Sequence, residues 1–175
     1  MRQKTKELCY IALSAAVLCL VSPWAVPIGG FPVTLSLFAV LLTAELFPIR
    51  IALPSVTVYV ALGAVGIPVF AGFTGGFQVL AGPTGGFILS YFLIATIVSL
   101  FGKGFVKSCI FGVLSTILCY ILGSLWLSFT TSTDFLGTLA LTAGSYAIPD
   151  TFKMIAAATL SDILRKRLKK TLPQR

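Results

Sequence analysis

The chain of 175 residues is 57% apolar and only 10% charged, with a mean hydropathy of +1.01. Soluble domains carry about 25% charged residues, so this composition excludes a soluble core and reads as an all-α integral membrane protein. The net charge of +8 does not point to nucleic acid, because the basic residues flank apolar runs, where they report membrane topology.

In chain order, six apolar segments are predicted, at about 8–21, 33–47, 51–65, 86–101, 105–127 and 143–164. At roughly 20 residues per span plus short loops, the length also fits six helices, in a single membrane domain over 1–175. Arg2, Lys4 and Lys6 precede the first segment. Such a start imitates a signal peptide, but five more apolar segments follow, so it reads as a retained first helix. Ala12, Ala15 and Ala16 give it a small-residue face that lets another helix approach closely, inside the bundle or on a separate membrane subunit. Pro23, Pro27 and Gly29-Gly30 end this segment, and Pro48 ends the second. Glu45, five residues before Arg50, reads as a snorkelling acid at the membrane interface.

Between the third and fourth segments stand two similar hexapeptides, Gly72-Phe73-Thr74-Gly75-Gly76-Phe77 and Gly82-Pro83-Thr84-Gly85-Gly86-Phe87. Glycine costs about 1 kcal/mol per helix position and proline about 3 relative to alanine. Irregular backbone at membrane depth survives only where protein or a water-filled cavity satisfies its polar groups. The stretch at about 66–85 is therefore expected to fold back on the bundle as a lid or re-entrant cap around a cavity, rather than extend as a plain loop.

Charge sets the orientation. Arg50 lies between the second and third segments, Lys103 and Lys107 near the boundary of the fourth and fifth, and Arg165, Lys166, Arg167, Lys169 and Lys170 after the sixth. The alternate connections at 22–32, 66–85 and 128–142 hold no lysine or arginine. Positive charge marks the cytoplasmic side, so both termini are expected there and the hexapeptides on the outer side. The even number of spans this requires agrees with six. The location that follows is a bacterial cytoplasmic (inner) membrane, crossed several times.

Chemistry-bearing residues are few. The four cysteines, Cys9, Cys19, Cys109 and Cys119, lie in apolar segments at spacings unlike a zinc site or a disulfide framework, and read as buried apolar side chains. The chain has no histidine, which removes the commonest general base and metal ligand. No metal site or cofactor is expected, and a small membrane enzyme has little to work with. No lysine follows either glycine hexapeptide, and Gly102-Lys103-Gly104 lacks the rest of a phosphate-binding loop, so any uphill transport draws on a partner or an ion gradient. Asp134 stands in a loop rich in threonine and serine, where solvation explains it.

Asp150 and Lys153 are the sharpest pair. An ionised group at the centre of a membrane helix costs about 2.5–3.5 kcal/mol, and the i, i+3 spacing puts both on one face, able to enter the same cavity. A self-neutralising salt bridge is the alternative to a binding role. As ligand groups, Asp150 offers acceptors and Lys153 a charged donor, which suits a small polar head on an apolar molecule. Pro149 kinks or starts the helix just before them.

Three blocks carry a resemblance: Gly29-Gly30-Phe31-Pro32-Val33-Thr34-Leu35, the run from Leu62 to Gly72 that includes Pro68-Val69-Phe70-Ala71-Gly72, and Leu80-Ala81-Gly82-Pro83-Thr84-Gly85-Gly86-Phe87. In this order and spacing they closely resemble the BioY family, the biotin-binding S components of energy-coupling factor vitamin transporters. The likeness covers nearly the whole chain. It implies a six-helix bundle that binds biotin near the outer surface under the loop between helices three and four. It also implies docking on a transmembrane T subunit with a pair of cytoplasmic ATPases, for which the small face at Ala12 and Ala16 would serve.

Carried over residue by residue, the family's helix-six Asp-x-x-Lys falls on Asp150 and Lys153. Its loop residues fall on Gly72, Gly75, Gly76, Gly82, Pro83, Thr84, Gly85, Gly86 and Phe87. Phe31, Phe70 and Tyr146 are expected to pack on the bicyclic ring, while Asp150 and Lys153 meet the ureido or carboxylate atoms. The sequence departs from the family in having Pro149 directly before Asp150 without an intervening glycine, Phe87 in place of a tyrosine and Ser36 in place of a glutamine. An S component for thiamine or riboflavin is the neighbouring alternative.

Overall fold

The computed structural model describes residues 2–28, 31–102 and 104–167. Among these, seven helices and one two-stranded ribbon succeed one another. Helix α1 (Arg2–Val21) is followed by β1 (Ala25–Ile28) and β2 (Phe31–Thr34), then α2 (Ser36–Leu46) and α3 (Ile49–Ala64). A short α4 (Phe77–Ala81) precedes α5 (Gly85–Phe101), α6 (Phe105–Thr131) and α7 (Phe135–Arg167). The all-helical class holds, with the ribbon as an addition.

Local sequence explains the joints. Ser22-Pro23 stops α1, where the Ser22 amide still reaches the Leu18 carbonyl at 2.9 Å. The ribbon is antiparallel, with Ala25 opposite Thr34 and Pro27 opposite Pro32. In two strands every strand is an edge, where a missing proline N–H is tolerated. The Leu35 amide closes the unit onto the Trp24 carbonyl at 3.1 Å.

Helix α2 sits at the centre, packed against α1, α3, α5 and α7. Its Ala39, Val40, Leu41 and Ala44 are buried with Leu18, Val56, Ile94 and Ala157 from its neighbours. At 1.5 Å per residue its 11 residues reach only about 16 Å. It therefore fills one end of the bundle and leaves room above Ser36 at the other.

Helix α6 shows the inverted pattern of a membrane helix. Val106, Ile110, Ile117 and Phe129 are exposed, whereas Gly112, Ser115, Gly123 and Ser124 face inward. Small inward residues allow close helix approach: a Cβ on Gly123 would fall within the Phe87 ring. By length and composition α6 is long and apolar enough to cross a membrane, and α2, α3 and α5 are shorter apolar helices.

Several expectations change. The last helix begins at Phe135 rather than near residue 143, and Pro149 lies inside it instead of starting it. The helix continues because proline forfeits one hydrogen bond and not the whole ladder. Asp134 caps that new start, accepting the Gly137 amide at 2.7 Å. The connection at 65–84 contains α4, a one-turn helix absent from the sequence reading. Glu45 does not snorkel: it is 1% exposed, and the Arg165 guanidinium donates to the Glu45 and Leu46 carbonyls at 2.6 and 3.0 Å. Of the cysteines, all free, Cys119 is buried but Cys9 is exposed. Lys103 and Lys169–Lys170 lie outside the described residues.

Candidate functional site

A cavity of about 370 Å³ opens between the start of α2, the helices α3, α5, α6 and α7, and the 65–84 connection above them. Its volume lies in the range of about 300–1,000 Å³ usual for small-molecule pockets. The walls are mainly apolar and aromatic, with polar side chains contributed by the helices and by the connection.

One polar cluster joins α6 to α7. The Asp150 carboxylate is 7% exposed and holds two partners: Lys153 Nζ donates to Oδ1 at 2.7 Å, and the Tyr120 hydroxyl donates to Oδ2 at 2.7 Å. A charge so placed needs both Coulombic and hydrogen-bond compensation. The pair is thus a salt bridge and also lines the cavity. One of the three ammonium N–H groups is engaged by Asp150, which leaves Lys153 further donors for a ligand oxygen. The ring of Tyr146 lies beside Tyr120 (centroids 6.4 Å apart) and Phe87 (6.4 Å).

A second group is uncharged: Tyr59, Tyr91 and Ser36, the last at the start of α2, all line the cavity. The Ser36 hydroxyl donates to the Ser22 carbonyl at 3.2 Å. Phe70 packs edge-on against Tyr59, with centroids 5.6 Å apart, and covers Gly63, where a Cβ would fall within the Phe70 ring. Phe70 is thereby seated in the bundle although it belongs to a connection.

Of the residues expected in the site, Asp150, Lys153, Phe70, Gly82, Pro83, Thr84, Phe87 and Tyr146 line the cavity. Gly72, Gly75, Gly76, Gly85 and Gly86 do not; they shape the connection. Gly72 and Gly76 have φ of +68° and +103°, conformations open to glycine. A Cβ on Gly75 would strike the Ile67 carbonyl, one on Gly85 the Leu80 carbonyl, and one on Gly86 the side chain of Trp126. The Phe31 side chain lies outside the described residues.

Sequence reasoning passed over Tyr120, Tyr59, Tyr91 and Gln78, and named Thr34 and Ser36 without assigning them to the site; all six line the cavity. A tyrosine within an apolar segment carries no local signal that separates a cavity wall from core. Ala12 and Ala16 stand exposed on α1, whereas Ala15 is buried on the other side.

Comparison with known proteins places this architecture. The BioY family model matches residues 1–170. The chain is 41% identical over 149 residues to the biotin transporter BioY2 of Lactococcus lactis subsp. cremoris, covering 81% of this chain and 80% of the relative. It is 33% identical over 162 residues to a probable biotin transporter of Pyrococcus horikoshii, covering 93% and 98%. It is 34% identical over 170 residues to the biotin transporter of Thermotoga maritima, covering 95% and 97%. A crystal structure of the S-component for biotin from an ECF-type ABC transporter superposes with a TM-score of 0.87 at 25% identity, covering 94% of this chain and 93% of that one. The chain belongs to the BioY family.

Proposed function

We propose that this protein binds biotin in the cavity and serves as the substrate-specific component of a vitamin transporter, with transport rather than catalysis as its activity. The observation that carries the reading is the cavity itself: mainly apolar and aromatic walls, with the part-buried Asp150–Lys153–Tyr120 cluster and the hydroxyls of Ser36, Tyr59 and Tyr91 among them. Biotin is an apolar bicyclic body with a polar group at each end, a ureido on one side and a carboxylate on the other. Lys153 supplies donors for oxygen, while Asp150 and the Tyr120 oxygen retain lone pairs for N–H groups. Six helices span the cytoplasmic membrane with both termini inside, and the 65–84 connection covers the site from the outer face as a lid. The exposed Ala12–Ala16 face of α1 meets a transmembrane T subunit energised by an ATPase pair, with membrane lipid around the rest.

Labelled-biotin binding to the purified protein tests the reading, with thiamine and riboflavin as competitors. Saturable binding that neither vitamin displaces is expected; displacement by either would transfer the site to that vitamin. Asp150→Asn and Lys153→Ala should each weaken binding at least a hundredfold while the protein still inserts. Affinity like that of the wild type in both variants would remove the pair from the site.

A further inference from the structure

The chain has only two tryptophans, and each holds one of the two glycine hexapeptides. Trp24 stands between α1 and the ribbon, its indole edge-on to Phe73, with centroids 5.6 Å apart and planes at 73°. Phe73 is held at a φ of +57°, unfavourable for a bulky side chain. Such a conformation persists where the surroundings over-determine it. The amide of the adjacent Gly72 donates to the Pro23 carbonyl at 2.9 Å, so the Trp24 turn grips the first hexapeptide by both ring and backbone.

Trp126 projects from α6 to the second hexapeptide. Its Nε1–H donates to the Gly82 carbonyl at 2.9 Å, and the bare Cα of Gly86 lies against its side chain. Neither tryptophan lines the cavity, but Gly82, Pro83 and Thr84 do, as do Ala71 and Thr74 beside Phe73. Trp126 therefore holds backbone at Gly82 that lines the cavity, and Trp24 holds the ring of Phe73, whose neighbour Thr74 lines it.

We propose that the two tryptophans are clamps that set how fast the 65–84 connection opens, and hence how fast a bound ligand escapes. Trp126 governs the second hexapeptide, and Trp24, through Phe73, the first. Both are positioning residues. The escape step rests on the reading of the cavity as a biotin site; the clamping of the connection does not.

Two measurements separate these layers. Hydrogen exchange on the ligand-free protein reads the clamps alone. Trp126→Phe keeps an aromatic ring against Gly86 and removes the Nε1 donor. Amides at 77–84 are expected to exchange about tenfold faster, the effect of one hydrogen bond, with α1 and α3 unchanged. Phe73→Ala, at an exposed position, is expected to do the same for 70–76 and carries the test should Trp126→Phe fail to fold. A labelled-biotin chase then reads release, with koff about tenfold faster in Trp126→Phe and kon little changed. Unchanged exchange at the targeted amides, or faster exchange with an unchanged koff, overturns the proposal. If the wild-type protein binds no biotin, the reading of the site falls, and the exchange arm still decides whether the indoles clamp.

Discussion

Asp150 is the residue on which the proposed site turns, because both of its oxygens are already in use. It holds Lys153 and Tyr120 from two helices in one arrangement, so its substitution disturbs three groups at once. Asp150→Asn leaves a nearly buried ammonium without its counter-charge, a change that costs about 3–5 kcal/mol in comparable settings. Tyr120→Phe removes one hydrogen bond to a charged acceptor, worth about 1.5–3 kcal/mol. Equilibrium binding should therefore show a loss of roughly tenfold to hundredfold for Tyr120→Phe, smaller than for Asp150→Asn. A Tyr120→Phe variant with unaltered affinity would confine the hydroxyl to bracing α6 against α7. The acid and the lysine were legible in sequence because ionised groups in an apolar segment demand a reason. Tyr120 was not, since its partner lies thirty positions away on another helix.

At the scale of elements, the start of the short α2 lines the cavity and the glycines shape the connection beside it. Gly75 and Gly85 approach the Ile67 and Leu80 carbonyls so nearly that no side chain fits between. Gly85→Val forces α5 away from the end of α4 and should lower biotin affinity at least tenfold, while far-ultraviolet circular dichroism reports an intact bundle. Affinity like that of the wild type would mean that the connection does not shape the site. The break between α3 and α5 was plain from the glycine and proline content, but α4 inside it was not. Five residues make too short a helix to leave a periodic signal. The early start of α7 escaped for a related reason: Thr138 and Thr142 interrupt the apolar run, yet both are buried against neighbours. Glu45 was misjudged because local sequence placed it near Arg50, whereas Arg50 pairs with Glu7 at 3.2 Å and Arg165 reaches the Glu45 carbonyl from a segment 120 positions away.

The whole molecule has its exposed apolar surface on the outside of the bundle, notably along α6, and its polar groups within, the arrangement a bilayer imposes. On the outward side of α1, Leu8, Leu13 and Leu20 are exposed, and two alanines stand among them. Ala12 and Ala16 are exposed one turn apart, and a face of small residues lets a partner helix approach to backbone distance. Such a face suits helix docking, the role proposed for it above. Among the described residues, none from α1 lines the cavity, so docking and binding are separable by substitution. Ala12→Trp or Ala16→Trp should abolish co-purification with a transmembrane subunit and an ATPase pair, and with it uptake driven by ATP. Equilibrium biotin binding to the isolated protein should stay within about twofold of the wild type, as expected for a surface change remote from the cavity. Retained co-purification in both variants would move the docking surface elsewhere on the bundle. A parallel loss of biotin binding would instead show that α1 communicates with the cavity through Leu18 and the core of α2, against which it packs.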